Sequence, residues 1–333
     1  MRTTYDFIAQ NKRRTVLLVL LFPLVFALLV GVVFGGLYFL AADPAGMHAS
    51  APVNMNGWQM SSNQAEIVML AAAVVPGCWV LALLWIIISY FTGDKFMLSS
   101  AGAIKIDRQD QPEIYRLVEN LCITRGLPTP RIYIIDDDSL NAFATGRDPQ
   151  HASVALTKGI VKKLERVELE GVIAHELAHV ENRDIRLMLI TIAGISFFTI
   201  LGEWLLRAST RGRHRKNDGS GFLILLGLIC LVYGYFLAPL IRLAVSRQRE
   251  YQADATAALT TRNPGALASA LRKISSDCRV EVLDNRESMA AMCIANPLAK
   301  TGLFSSLSGL LATHPPIEKR IAVLLEMDAQ RTY

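Results

Sequence analysis

The sequence predicts a mainly α-helical membrane protein, in which apolar helices alternate with polar α/β regions. Hydrophobic residues make up 52% of the 333 residues and charged residues only 19%, a balance that is typical of membrane proteins. The apolar residues are concentrated in four blocks, and the segments between them have helical and strand-like patterns.

Residues 1–93 predict an N-terminal membrane region with two transmembrane helices. The blocks at 16–42 and 67–91 contain no charged residue, and each is long enough to cross roughly 30 Å of hydrocarbon. The first block is too long for a signal peptide, whose apolar core has about 7–15 residues. Residues 43–66 contain no Lys or Arg, whereas basic residues flank the other ends of both blocks. The positive-inside bias therefore places the residues after the second block in the cytoplasm.

Residues 94–186 and 242–333 predict the two parts of a polar α/β domain. Pro112 opens an amphipathic helix, and short β-rich runs follow at 131–135, 141–146 and 153–157, the last two able to form a hairpin. A helical pattern begins at about Arg166 and carries through His179. No Gly or Pro occurs between His179 and Gly194, which predicts that this helix continues directly into the third apolar block.

Residues 187–241 predict an inserted apolar helical hairpin, formed by the third and fourth blocks. These blocks, at 187–202 and 222–241, have about 16 and about 20 uncharged residues, so the third is short for a membrane span. The loop at 207–221 is basic, which conflicts with the positive-inside bias if the loop lies outside the cell. The sequence leaves open whether the hairpin crosses the bilayer fully.

The cysteines and the charge pattern exclude several classes of protein. None of the five cysteines forms a C-x-x-C pair, so we predict neither a disulfide framework nor a cysteine-ligated metal. The net charge is +5, with basic residues beside apolar blocks, which suits a lipid bilayer as a partner. We find no nucleic-acid-binding signature and predict no nucleic-acid partner.

A candidate metal site lies on the predicted helix that ends near His179. His175 and His179 are four residues apart, so both imidazoles lie on one helical face and can share a zinc ion. Glu176 follows the first histidine and can take a proton from a metal-activated water. The alternative is a helix with solvated His and Glu residues. The apolar neighbours indicate a buried helix, where unpartnered His and Glu are costly, and this favours a metal.

A catalytic zinc requires a third protein ligand, and Glu250 is the candidate. Asp254 lies four residues further, on the same helical face, and can accept the second N–H of a ligand histidine. The residues alone support equally well a solvated helix in which Glu250 pairs with Arg247 or Arg249.

Four stretches together resemble the HtpX-type branch of the M48 metallopeptidases. They are His175-Glu-Leu-Ala-His179, Ser246-Arg-Gln-Arg-Glu-Tyr-Gln-Ala-Asp254, Asn141-Ala-Phe-Ala and Thr313-His-Pro-Pro316. The resemblance implies a zincin-like α+β catalytic domain with a small sheet. It implies one Zn²⁺ per chain, held by His175, His179 and Glu250, with Glu176 as general base.

The resemblance also implies how a substrate is bound. An extended polypeptide would pair with an edge strand near Asn141 and Ala142. His314 and Arg320 would lie beside the scissile carbonyl and stabilise the oxyanion. The implied activity is cleavage of misfolded or damaged membrane proteins, a stress-response and quality-control function. The implied location is the bacterial cytoplasmic membrane, with the catalytic domain facing the cytoplasm.

Two alternative functions remain open from the sequence. One is a protease that processes prenylated peptides, and the other is a non-catalytic zinc-binding scaffold in the membrane. A scaffold would not need Glu176, whereas a protease would. The sequence predicts no oligomeric state.

Overall fold

The computed structural model describes residues 53–55, 58–60, 62–211, 219–276 and 315–331, together with a few isolated residues between 13 and 31. These residues form a mostly helical protein with a small mixed sheet.

The residues cluster into two compact units. The first comprises Met1–Val16, Ile88–Ile195 and Ala238–Tyr333, and the second comprises Leu17–Ile87 and Ser196–Leu237. These units group residues that are close together in the folded chain. The predicted division into residues 1–93, 94–186, 187–241 and 242–333 follows the expected membrane segments instead, and it stays a prediction.

The second unit contains a short hairpin and apolar helical segments. Strands β1 (Val53–Met55) and β2 (Trp58–Met60) pair antiparallel. Its helical segments include parts of α1 (Ser62–Ser100) and α5 (Asp184–Arg211), together with α6 (Gly219–Val232) and the π-helical segment Tyr233–Leu237. A Cβ atom added at Gly202 would lie only 2.9 Å from the carbonyl oxygen of Gly227. Since only glycine allows this approach, α5 and α6 form the close helical pair that the third and fourth apolar blocks predicted.

Within the described ranges, one helical segment, Trp79–Ser100, is long and apolar enough to cross a membrane. The second predicted span, at 67–91, overlaps this segment, but the first, at 16–42, lies almost entirely outside the described residues. The prediction of two N-terminal transmembrane helices is therefore not confirmed. Leu223–Tyr235 is a shorter apolar helix, so full crossing by the inserted hairpin stays open.

The first unit is built around a four-stranded sheet. Its strands are β3 (Ala103–Lys105), β4 (Arg131–Ile135), β5 (Ala142–Thr145) and β6 (Ser153–Thr157). Their order is β3-β4-β6-β5, with β4 and β6 parallel and the other two pairs antiparallel. The predicted hairpin of β5 and β6 is confirmed. Strand β3 was not predicted, because three residues are too few to show a strand-like alternation.

Helices enclose this sheet and supply most of the core of the first unit. They are α2 (Pro112–Arg125), α3 (Lys158–Lys163), α4 (Arg166–Glu181), α7 (Ala238–Thr261), α8 (Pro264–Ser276) and α9 (Ile317–Arg331). Val118, Ile132, Leu156, Ile173 and Leu267 are fully buried in one apolar cluster. Glu165 and Glu168 form a capping box that fixes the start of α4.

The predicted continuous helix from His179 into the third block is wrong. Helix α4 ends at Glu181, Arg183 adopts a left-handed conformation with φ 60°, and α5 begins at Asp184. The N–H groups of Asn182 and Arg183 bond to the carbonyls of Ala178 and Val180 and close the turn. A left-handed conformation costs a non-glycine residue about 1–2 kcal/mol. A helix can therefore break without Gly or Pro when tertiary contacts offset this cost.

Candidate active site

Helix α4 carries the predicted histidine pair into the interior of the first unit. The helix lies against β5, α7 and α8, and His175 and His179 are only 0% and 8% exposed. Their Nε2 atoms are 3.2 Å apart. The i, i+4 spacing therefore turns both imidazoles toward one point.

Glu250 reaches the same point from helix α7. Its two carboxylate oxygens each lie 3.7 Å from one of the histidine Nε2 atoms, Oε2 from His175 and Oε1 from His179. A tetrahedral zinc ion with Zn–N distances near 2.0–2.1 Å would separate two nitrogen ligands by roughly 3.3 Å. The donor atoms of this cluster therefore suit a metal ion, and two imidazoles with one carboxylate are ligands that zinc prefers.

Asp254 lies behind His175, where the sequence analysis expected an acceptor. Its Oδ1 atom is 2.9 Å from His175 Nδ1. Arg320 of α9 donates to both oxygens of this carboxylate, from Nε and Nη2, each at 2.7 Å. Although burial alone would raise the pKa of Asp254, the charge of Arg320 lowers it to about 2. Asp254 is therefore a carboxylate and favours the tautomer of His175 that directs a lone pair at Nε2 toward the cluster.

Arg320 contacts the cluster itself as well as Asp254. It is 0% exposed, and its Nη1 atom lies 3.4 Å from Glu250 Oε2. Its guanidinium forms a two-pronged pair with Asp254, which suits a positioning role, and the predicted oxyanion role stays a prediction. The other predicted oxyanion residue, His314, lies outside the described residues.

Glu176 lies beside the histidine pair and is 2% exposed. Its carboxylate accepts a hydrogen bond from the backbone N–H of Ala144 in strand β5. Burial raises the pKa of Glu176 to about 7, and the negative charge of Glu250 acts in the same direction. A divalent cation at the cluster would act in the opposite direction and keep Glu176 ionised.

The two histidines differ in how readily they take up a proton. Burial lowers the pKa of His175 despite its contact with Asp254. Burial also opposes protonation of His179, but its hydrogen bond to Asp184 and the charge of Glu250 outweigh burial and raise the pKa to about 9. Only a neutral imidazole binds a metal, so a metal at His179 competes with a proton that these carboxylates favour.

Strand β5, the predicted substrate-binding strand, lies at an edge of the described sheet. Asn141 directs its carbonyl toward β6, where it accepts from Thr157 N–H, so Ala142 and Ala144 direct their backbone groups to the open edge. The N–H of Ala142 bonds to the Asn141 side chain, and that of Ala144 bonds to Glu176. Asn141 and Ala142 are each only 1% exposed. Both residues are therefore buried, although β5 has no further strand on its outer side among the described residues.

Asp184 was not predicted as part of the site, although it contacts a predicted ligand. Its Oδ2 atom lies 3.0 Å from His179 Nδ1. On the continuous helix expected from the sequence, a residue five positions after His179 would point roughly 140° away from it. The turn at Asn182 and Arg183 removes this separation. A chemical argument could have suggested this residue. A ligand histidine usually has an acceptor for its second N–H, and Asp184 is an acidic residue close to His179 in the sequence.

Two buried imidazoles and a carboxylate that converge on one point, with a second glutamate beside them, are the arrangement of a metallopeptidase site. The sequence matches Peptidase family M48 over residues 108–328. The chain belongs to this family, and the resemblance inferred from the four sequence stretches is confirmed.

Bacterial relatives match the chain over most of its length. A protease HtpX homolog from Bacteroides fragilis is 44% identical and covers 95% of this chain and 96% of its own. One from Tropheryma whipplei is 40% identical over 98% of this chain and 99% of its own. The crystal structure of S. mikatae Ste24p is similar at a TM-score of 0.40 with 18% identity, over 77% of this chain and 64% of that chain.

Proposed function

We propose that this protein is a membrane-anchored, zinc-dependent endopeptidase that cleaves misfolded or damaged membrane proteins. The convergence of His175, His179 and Glu250 on one point, with Glu176 beside them, is the observation that carries the proposal. The relatives that match over nearly the whole chain are named as proteases of the HtpX type. This favours a general protease over one that processes prenylated peptides.

His175, His179 and Glu250 would hold the zinc ion. When bound, zinc acts as a Lewis acid, polarising the scissile carbonyl and making a water molecule easier to deprotonate. Glu176 takes the proton from the attacking water and delivers it to the leaving amine. The edge of β5 near Asn141 and Ala142 would align the substrate main chain, a mode of binding that selects little between substrate side chains.

Asp254 contacts Nδ1 of His175 and Arg320 holds Asp254, so the two residues keep the imidazole in its orientation. His314 stays a candidate for stabilising the oxyanion. Arg320 Nη2 lies 3.4 Å from His175 Nε2, so the guanidinium also adds positive charge close to the reacting groups. Such charge would favour an oxyanion that develops nearby.

Removal of the metal is expected to abolish hydrolysis by the full-length chain in detergent or lipid. A chelator should stop cleavage of an unfolded membrane-protein substrate, and zinc in slight excess should restore it, because three side chains of one site must hold the ion together. Cleavage rates measured before chelation, after it and after zinc addition provide the check. Full activity in the chelated protein would contradict a zinc-dependent reaction.

The catalytic unit is proposed to face the cytoplasm. His179 and Glu250 lie on opposite sides of residues 187–241 in the sequence, yet their side chains are 3.7 Å apart. The inserted hairpin must therefore leave and return on one side of the membrane, which the positive-inside bias makes cytoplasmic.

Cysteine labelling of intact cells is expected to find the catalytic unit protected. In a chain without its native cysteines, an exposed position such as Lys162→Cys should not react with a membrane-impermeant reagent until the cells are opened. The opened cells serve as the control for reactivity. Reaction of the Lys162→Cys protein from outside intact cells would overturn the orientation.

A further inference from the structure

We propose that Asp184 and Arg249 form a positioning pair that holds His179 in the orientation needed to bind the metal. This inference rests on the proposed function, because it concerns the second imidazole of the proposed zinc site. It assigns a role to Asp184, which lies outside the four quoted stretches, and a new partner to Arg249, which lies within the 246–254 stretch.

The contacts of Asp184 connect a metal-binding side chain to a buried arginine. Its Oδ2 atom lies 3.0 Å from His179 Nδ1, and its Oδ1 atom lies 3.4 Å from Arg249 Nη1. The side chains of Asp184 and Arg249 are 2% and 10% exposed. Water screens such buried contacts little, so they constrain the imidazole more than a surface pair would.

The same arrangement occurs behind the other histidine of the cluster. His175 Nδ1 contacts Asp254, and Arg320 holds that carboxylate. Each imidazole thus presents Nε2 to the cluster and Nδ1 to an aspartate, and each aspartate contacts a buried arginine. The parallel indicates that Asp184 does for His179 what Asp254 does for His175.

The break between α4 and α5 is what brings Asp184 to the histidine. Arg183, at φ 60°, interrupts the helix between α4 and α5, and the next residue contacts His179 near the end of α4. Asp184 is also the first residue of α5, where an acidic side chain is favourable for the helix dipole alone. The helix-dipole effect requires no contact with an imidazole. The contact between Asp184 Oδ2 and His179 Nδ1 therefore favours the positioning role over an effect on the helix alone.

Four consequences follow for metal binding. A carboxylate on Nδ1 fixes the tautomer of His179 with its lone pair on Nε2, and it raises the basicity of the ring. It also restricts rotation of the ring. Because Arg249 adjoins Glu250 in α7, the pair couples the helix of the second ligand to that of the third. Loss of the pair should therefore weaken zinc binding.

The test is the zinc dissociation constant of the full chain in detergent, measured by competition with a chelator. Asp184→Asn keeps the size of the side chain but removes its charge, and we expect it to weaken zinc binding about 10–100-fold, the usual effect of losing such a partner. Cobalt is a second probe, because its absorption bands should shift if the geometry at His179 changes.

Asp148→Asn is the matched control. Asp148 Oδ1 lies 2.7 Å from His151 Nδ1, a more exposed aspartate–histidine pair that belongs to no metal cluster among the described residues. This variant should bind zinc as the wild type does and leave the cobalt spectrum unchanged. Circular dichroism and thermal unfolding establish that each variant is folded.

Wild-type zinc affinity in a folded Asp184→Asn protein would overturn the inference and leave the proposed function intact. If that variant does not fold, Arg249→Gln decides: weaker zinc binding supports the pair, and unchanged binding overturns it. A wild-type chain that binds no zinc would overturn the proposed function itself, and the role of the pair with it.

Discussion

The Glu176→Gln protein is expected to bind zinc like the wild type but to hydrolyse peptides about 10²–10⁴ times more slowly. The amide keeps the size of the side chain and can still occupy its place beside the histidine pair. It cannot accept the proton of the attacking water. Because Glu176 is 2% exposed, bulk water has little access to replace it as a base. The rate of cleavage of an unfolded membrane protein and the zinc content of the same sample provide the two measurements.

Glu170→Gln provides the control for this substitution. Glu170 lies on the same helix, next to the buried Leu169, but is itself partly exposed. Its substitution should leave both zinc content and cleavage unchanged. Cleavage by Glu176→Gln at a rate close to that of the wild type would refute the general-base role, and it would favour the alternative of a zinc-binding scaffold.

Arg320→Met is expected to reduce the free energy of unfolding by about 3–5 kcal/mol, the usual cost of breaking a buried ion pair. Methionine fills much of the space but leaves the carboxylate of Asp254 without its two-pronged partner. Glu250 loses the contact at 3.4 Å as well. Denaturant or thermal unfolding of the full chain measures the change, and zinc affinity should fall with it because His175 depends on Asp254.

Arg207→Met is the matched comparison on the surface. Arg207 pairs with Glu203 at 2.9 Å, but its side chain is 73% exposed. An exposed pair of this kind contributes about 0–1 kcal/mol, so the variant should unfold almost as the wild type does. Equal effects of the Arg320 and Arg207 substitutions would contradict the view that a buried pair behind His175 supports the site.

The sequence predicted the centre of the site better than its surroundings. The spacing of His175 and His179 determines a shared helical face, and the structure brings both imidazoles together there. Glu250 was ambiguous from its neighbours alone, because the residues around it also suit a solvated helix. It became a candidate ligand through the family resemblance, and its distance from both histidines now supports that assignment.

The residues that contact the proposed metal ligands from behind are brought into place by tertiary structure, which the spacing of residues in the sequence does not reveal. Asp254 could be predicted because it lies one helical turn after Glu250. Asp184 could not, because its position depends on a left-handed arginine that breaks the helix without Gly or Pro. Arg320 was a predicted site residue, but its contact with Asp254 was not predicted, because it joins helices α7 and α9 across 66 residues of sequence.

Anomalous X-ray diffraction at the zinc absorption edge, from crystals of the Glu176→Gln protein grown with zinc, tests the central claim most directly. We predict one strong peak per chain, about 2.0–2.2 Å from Nε2 of His175, Nε2 of His179 and a carboxylate oxygen of Glu250. A peak elsewhere in the chain, or no peak between these three side chains, would contradict the account.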